Sequence, residues 1–158
     1  SQDRRLTKAA REAFEADNTA QRLNLIRQKV FIRYAAADAI TAAAHQIAEN
    51  LNVAAIVTYT ASGATALRAS RERPNVPILA LSPVLKTARR LAIGWGLHCL
   101  MVEEPRDLDG MVEQACKLAY REGFAKPGQR VIVICGVPLG TPGATNLLRI
   151  ALVGRSQD

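Results

Sequence analysis

Aromatic residues are scarce in this chain of 158 residues, at 4%, although hydrophobic residues reach 49%. The core must therefore be built from Ala, Val, Leu and Ile, which suits helices packed on a sheet better than an aromatic-rich β-barrel. Cysteine is equally sparse. Cys99, Cys116 and Cys135 are an odd number without a CxxC pair, and His45 and His98 lie far apart in sequence. This pattern argues against a zinc site. Thiols placed in apolar segments fit buried, reduced side chains and a cytoplasmic location. No apolar run approaches the length that spans a bilayer. The charged N-terminus lacks the apolar stretch of a signal peptide, and no membrane partner is expected.

Acidic residues are outnumbered, and the imbalance is uneven. Residues 1–33 hold eight basic and four acidic side chains; the remaining 125 hold thirteen and ten, so the net +7 divides as +4 and +3. A basic arm can contact nucleic acid. Here the basic residues interleave with Leu, Ala and acidic residues, with no Gly-rich, aromatic or zinc motif beside them. They read as a solvated helical face, and a nucleic-acid partner is not expected.

The N-terminal part carries apolar residues at helical spacing: Leu6, Ala9, Ala10, Ala13 and Phe14, then Leu23, Ile26, Val30 and Phe31. Asp17-Asn18 predicts a turn or cap between two amphipathic helices. Asp38 is expected to open a further helix to Asn50, with Ile40, Ala44 and Ile47 inward. Five short apolar runs follow at 53–59, 78–81, 97–102, 131–135 and 147–153, and helical patterns cover 63–73, 83–93 and 108–122. Asp107 is placed to cap the last of these helices, Gly123 to end it, and Trp95 to act as a packing anchor.

Strands alternating with helices imply a parallel sheet. The last two strands have no helix between them, so the fifth is expected antiparallel to the fourth. The expected fold class is a three-layer α/β/α sandwich with a five-stranded, mostly parallel sheet and extra N-terminal helices, the strand order being expected as 3-2-1-4-5. The expected organisation is a helical segment at 1–36, an α/β domain at 37–155 and a tail at 156–158.

The most informative stretch is Asn52 to Leu67, NVAAIVTYTASGATAL. A β-branched strand breaks into Thr60, Ala61, Ser62, Gly63, Ala64 and Thr65, and a helix follows. Such a turn aims backbone N–H groups and hydroxyls at one point, with the positive end of the helix dipole behind them. That suits a phosphate or carboxylate. The alternative is that Ser62 simply caps the helix. Arg68, one turn into the helix, lies within reach of an anion or on the surface. If strand order reverses beside the first strand, the Gly/Pro-rich loop 136–146 faces this turn at the switch point. Thr145-Asn146 would pin that loop through side-chain-to-backbone bonds. No nucleophile–base pair, metal-binding cluster or ATP loop is visible, so no catalytic or metal-ligating residue is assigned.

Residues from about Asp38 to Gly154 resemble the C-terminal domain of pyruvate kinases. The resemblance rests on DAITAAAHQIAENLNVAAIVTYTASGATALRASRERPNVPILALSP, KTARRLAIGWGLHCLMVEE and REGFAKPGQRVIVICGVPLGTPGATNLLRI, in that order. It implies a regulatory and oligomerisation domain that binds a phosphorylated effector. The turn Thr60, Ala61, Ser62, Gly63, Ala64 and Thr65 would hold the phosphate, under a loop including Gly140, Thr141, Gly143, Thr145 and Asn146. With Ala61 and Ala64 in place of basic turn residues, a sugar monophosphate or AMP is expected rather than a bisphosphate. The family converts phosphoenolpyruvate and ADP to pyruvate and ATP in glycolysis, on a barrel that uses magnesium and potassium. That barrel has no counterpart in this sequence, so the chain alone is not expected to be an enzyme and carries no cofactor of its own. It would be a free-standing domain or a piece of a longer chain, homo-oligomeric through its last strand and helix faces. The alternative is a purely structural subunit-interaction module whose phosphate-like turn stays empty.

Overall fold

The computed structural model describes the backbone of residues 2–141 and 144–154, with side chains described within 15–28, 35–141 and 144–154. The side chains of Leu6, Ala9, Ala10, Ala13, Phe14, Val30 and Phe31, together with Gly143 and the tail 156–158, lie outside that description. In chain order the elements are α1 (Gln2–Leu51), β1 (Ala55–Tyr59), α2 (Ala64–Arg71), β2 (Ile78–Ser82), α3 (Leu85–Leu91), β3 (Leu97–Met101), α4 (Leu108–Arg121), β4 (Arg130–Cys135) and β5 (Leu147–Leu152). The chain divides into two compact units, Ser1–Tyr34 and Ala35–Asp158.

The N-terminal part departs from the expected series of helices. α1 runs through Asp17-Asn18 and through Asp38 without a break. The reason lies in composition: the first glycine is Gly63 and the first proline Pro74, so no strong breaker precedes them. Asp or Asn inside a helix costs no more than about 0.7 kcal/mol each relative to Ala. Thr19 satisfies its hydroxyl on the Glu15 carbonyl one turn back, at 2.8 Å. In the first unit, Leu23 and Ile26 of the expected stripe are more than half exposed.

The second unit is built on a sheet ordered β3-β2-β1-β4-β5. β1 pairs parallel with both β2 and β4, β2 pairs parallel with β3, and β5 runs antiparallel to β4. Fold class, order and the final antiparallel pair are as the sequence predicts. β-branched and aliphatic residues fill β1, β2 and β4 because these strands are covered on both faces. Alternation sorts the side chains. Val57, Leu79, Leu81, Val131 and Val133 meet Met111, Ala115 and Ala119 of α4. Ile56, Ile78, Ile132 and Ile134 meet Ala44 and Ala48 of α1 and Ala69 of α2. Ala80 meets Ala66 of α2 and Leu91 of α3. Small alanines on the helices bring the layers close, so few aromatics are needed.

Local signals are obeyed where they are strong. The Asp107 carboxylate caps α4 by accepting from the Gly110 N–H at 2.7 Å. Gly123 follows the end of α4 with φ +79°. Trp95 is not the expected anchor: it is half exposed, with the Arg73 guanidinium 5.6 Å from its ring centre. Burial pushes the Cys135 thiol up to about 11. No helix among the described residues is long and apolar enough to cross a membrane.

Ile132 lies in a central strand with none of its surface exposed. Ile132→Ala is expected to lower stability by about 2–5 kcal/mol through lost burial and a cavity. Urea unfolding should show a lower midpoint with an unchanged slope. A change under about 1 kcal/mol would mean that the site collapses and is not a close-packed core position.

Candidate functional site

Strand order reverses at β1, so the carboxyl ends of β1 and β4 open side by side on one edge of the sheet. Open α/β sheets bind ligands in such a crevice. The turn leaving β1 is fixed by its own small residues. The Gly63 N–H donates to Thr60 Oγ1 at 2.8 Å. Gly63 is the N-cap of α2 in a left-handed conformation, φ +89°. The left-handed backbone favours glycine, and a Cβ there would also sit tightly, 3.1 Å from Arg90 Nη2 and 3.2 Å from Leu91 Cδ2. α3 braces the turn from outside β1: Thr87 Oγ1 donates to the Ala61 carbonyl at 2.8 Å, and the Arg90 guanidinium donates to the Ser62 carbonyl.

Two expectations for this turn change. Ser62 does not cap α2; its Oγ makes only a long 3.4 Å contact with the Ala64 N–H. The Gly63 amide is already taken by Thr60, so the donors left for an anion lie one step on. The Leu67 N–H returns to the Gly63 carbonyl at 3.0 Å, which leaves Ala64, Thr65 and Ala66 in the first turn without an intrahelical acceptor.

The loop after β4 folds against this turn. Thr65 Oγ1 and Thr145 Oγ1 share a buried hydrogen bond of 2.6 Å across 80 residues of sequence. Asn146 clips the loop base: its Oδ1 accepts from the Val137 N–H at 2.8 Å and its Nδ2 donates to the Val137 carbonyl at 2.6 Å. At Gly136 a Cβ would fall 1.8 Å from the Ala144 carbonyl oxygen, so the two arms of the loop meet backbone to backbone. Between turn and loop lies a cavity of about 40 Å³. Thr60, Ala61, Ser62, Thr65, Gly140 and Thr141 line it; Gly63 and Ala64 shape the turn without lining it, and Gly143 lies outside the described residues.

Sequence reasoning missed three lining residues: Tyr59, Pro83 and Glu104. Tyr59 is 7% exposed, and its hydroxyl has no hydrogen-bond partner among the described residues. Burial, and secondarily the Glu104 carboxylate, push the phenol up to about 12. Glu104 is solvent-exposed and therefore stands at the cavity mouth, with Oε1 3.0 Å from where a Cβ on Gly140 would sit. Each sits at the carboxyl end of a strand or just beyond it, and that placement was the available signal. Arg68 neither reaches the anion seat nor lies on the surface. It is buried, and its Nε donates to Asp38 of α1 at 3.1 Å. Among the described residues no group of three His, Cys, Asp or Glu side chains converges as a metal site would. A larger hollow of about 740 Å³ lies away from the switch point, between α4 and β5, beside Cys116, Tyr120 and Ile150.

The family described as pyruvate kinase, alpha/beta domain, matches residues 38–151, the part of the chain that makes the sheet and both loops. The chain belongs to that family. A pyruvate kinase of Methylorubrum extorquens is 52% identical over 120 residues, which is 76% of this chain and 25% of that protein. One from Agrobacterium vitis is 39% identical over 116 residues, 73% of this chain and 24% of that protein. One from Geobacillus stearothermophilus is 38% identical over 116 residues, 73% and 20% respectively. The chain thus spans about a quarter or less of the length of these curated relatives. The matched span of this pyruvate kinase domain begins at Asp38, inside α1.

The loop geometry is open to a direct check. Gly136→Ala drives a methyl group into a backbone carbonyl and should cost about 1–3 kcal/mol of stability. Gly154→Ala, where a Cβ meets nothing within 4 Å, serves as the control. Equal melting temperatures for the two variants would contradict the close approach of Gly136 and Ala144.

Proposed function

We propose that this chain is the regulatory and assembly domain of a pyruvate kinase, and that it binds the phosphate of a phosphorylated small-molecule effector between the turn Thr60–Thr65 and the loop Gly136–Asn146. The observation that carries the reading is the 2.6 Å bond between Thr65 and Thr145, which closes two distant Gly- and Thr-rich segments around one cavity. First-turn amides of α2 that lack an intrahelical acceptor, together with the helix dipole, favour an oxyanion there. The Ser62 hydroxyl, held only by a long contact, is available to donate to it.

The domain would bind and transmit rather than catalyse. Transfer of phosphate from phosphoenolpyruvate to ADP belongs, on this reading, to a catalytic barrel in the longer parent protein. A reducing cytoplasm suits the free thiols of Cys99, Cys116 and Cys135. Assembly would use β5, an edge strand with Ile150 41% and Leu152 63% exposed. Such an edge invites pairing with a second copy of the chain. This feature also favours the second reading, a purely structural interaction module with an empty turn. The two part on ligand binding.

Calorimetric titration of the purified chain with inorganic phosphate, glucose 6-phosphate, ribose 5-phosphate and AMP tests the ligand half. At least one phosphate ester is expected to bind, with Ser62→Ala weakening it by about 1–2 kcal/mol. Silence from every one of these, phosphate included, leaves the structural module as the answer. Ile150→Lys should shift sedimentation from oligomer to monomer; an unchanged profile would remove β5 from the assembly.

A further inference from the structure

Both edges of the sheet are open, and they differ in kind. At the β5 edge the hollow beside α4 carries charges of both signs, with Arg149 Nη1 2.9 Å from Asp109 Oδ1, so nothing there selects a partner by charge. At the other edge α3 and β3 bound a hollow of about 420 Å³, lined by Leu85, Ala92, Leu97, Cys99 and Met101. Leu85 is 47% and Met101 62% exposed, so an apolar trough faces solvent. Its described lining holds no acidic residue, and Arg89 is its permanent charge. That side chain is exposed and makes no ion pair or hydrogen bond among the described residues. α3 carries Lys86, Arg89 and Arg90 and no acid, and of these Arg90 is taken by the Ser62 carbonyl. His98 also borders the trough, but its Nε2 lies 3.9 Å from Glu122 Oε2, just past α4. Glu103 and Glu104 follow β3, beyond the residues that line the trough.

The strand beside the trough is a template for pairing. The Gly96 carbonyl accepts from the Ile78 N–H at 3.1 Å, and the Val102 N–H donates to the Ser82 carbonyl at 3.0 Å. The even-numbered residues of β3 therefore bond inward to β2, and alternation turns the backbone groups of Leu97, Cys99 and Met101 outward. The Leu97 N–H is taken by the Gly94 carbonyl at 3.3 Å, but Cys99 and Met101 face no further strand among the described residues. Edge strands are commonly blunted by charged residues or proline, and β3, LHCLM, has neither. The side chains of Leu97, Cys99 and Met101 line the trough, so a strand laid beside β3 would drop every second side chain into it.

We propose that the β3–α3 edge is a docking site for an extended, acidic peptide segment of a partner protein. The segment adds a sixth strand beside β3, seats alternate aliphatic side chains against Leu85, Leu97 and Met101, and sets a carboxylate on Arg89. The surface is separate from the β1–β4 crevice and from β5, so it does not depend on what either of those binds. Symmetric pairing of two β3 edges would set one α3, with its three basic residues, beside the other, which disfavours a second copy as the occupant.

The test is nuclear magnetic resonance on the full, isotopically labelled chain. The probes are two end-blocked pentapeptides, one alternating valine with glutamate and one alternating valine with lysine. The glutamate peptide is expected to give saturable shifts at the Cys99 and Met101 amides and to bind about tenfold more tightly than the lysine peptide. Arg89→Glu should weaken it by about tenfold, since the change removes an exposed ion pair and adds a repulsion. Methylating the backbone nitrogens of the glutamate peptide should abolish binding while leaving its charge intact. The peptide comparisons require no variant. No binding by the glutamate peptide, equal affinity for the two peptides, or undiminished binding after backbone methylation overturns the proposal. Shifts confined to β5 overturn it as well. So do shifts of Cys99 and Met101 that depend on protein concentration without peptide, which would assign the edge to a second copy.

Discussion

The reversal of strand order at β1 is the constraint on which the rest of this domain depends. β1 is flanked on both sides by parallel neighbours, β2 and β4, and both connections leave from the same edge of the sheet. Two loops that are 80 residues apart in sequence are thereby forced into contact. Hydrophobic burial does the holding, because β1, β2 and almost all of β4 are covered on both faces. The hydrogen bond between Thr65 and Thr145 adds about 0.5–1.5 kcal/mol on its own, so it reports the juxtaposition more than it creates it. Moving β4 to any other place in the sheet would separate the loops and abolish the cavity.

Much of the fold was legible in the residues. Five apolar runs of strand length, helical spacing between four of them, and the absence of a helix between Cys135 and Leu147 were enough for a mostly parallel sheet and for the antiparallel last pair, whereas the reversal of strand order beside the first strand did not follow from them. The N-terminal region was not, because Asp17-Asn18 and Asp38 look like caps in isolation. A cap residue stops a helix only where the chain gains by leaving it. With no glycine before Gly63, continuing costs less than stopping. Asp38 then meets a demand that only tertiary structure creates, the burial of Arg68.

The site was legible in part for the same reason. Thr60, Ser62, Thr65, Gly140 and Thr141 announce themselves as small polar residues after buried strands, and Asn146 as a polar residue entering an apolar one. Tyr59 reads from sequence as one more strand residue, and Glu104 as one acidic residue among several after β3. Their meeting at the cavity depends on β3-side and β4-side loops converging over β1, which no local pattern encodes. The alternative in which Ser62 caps the helix also fails. Gly63 is the N-cap and hands its amide to Thr60, while Ser62 is left nearly free, a difference set by the left-handed backbone at Gly63.

The claim that these two loops form one oxyanion seat is tested most directly by nuclear magnetic resonance. Backbone amide shifts of the isotopically labelled chain would be followed as inorganic phosphate is added. The account predicts saturable shifts at Ala64, Thr65 and Ala66 together with Thr141, Ala144 and Thr145, all fitting one dissociation constant. Shifts confined to the basic N-terminal helix, or different constants for turn and loop, would contradict it.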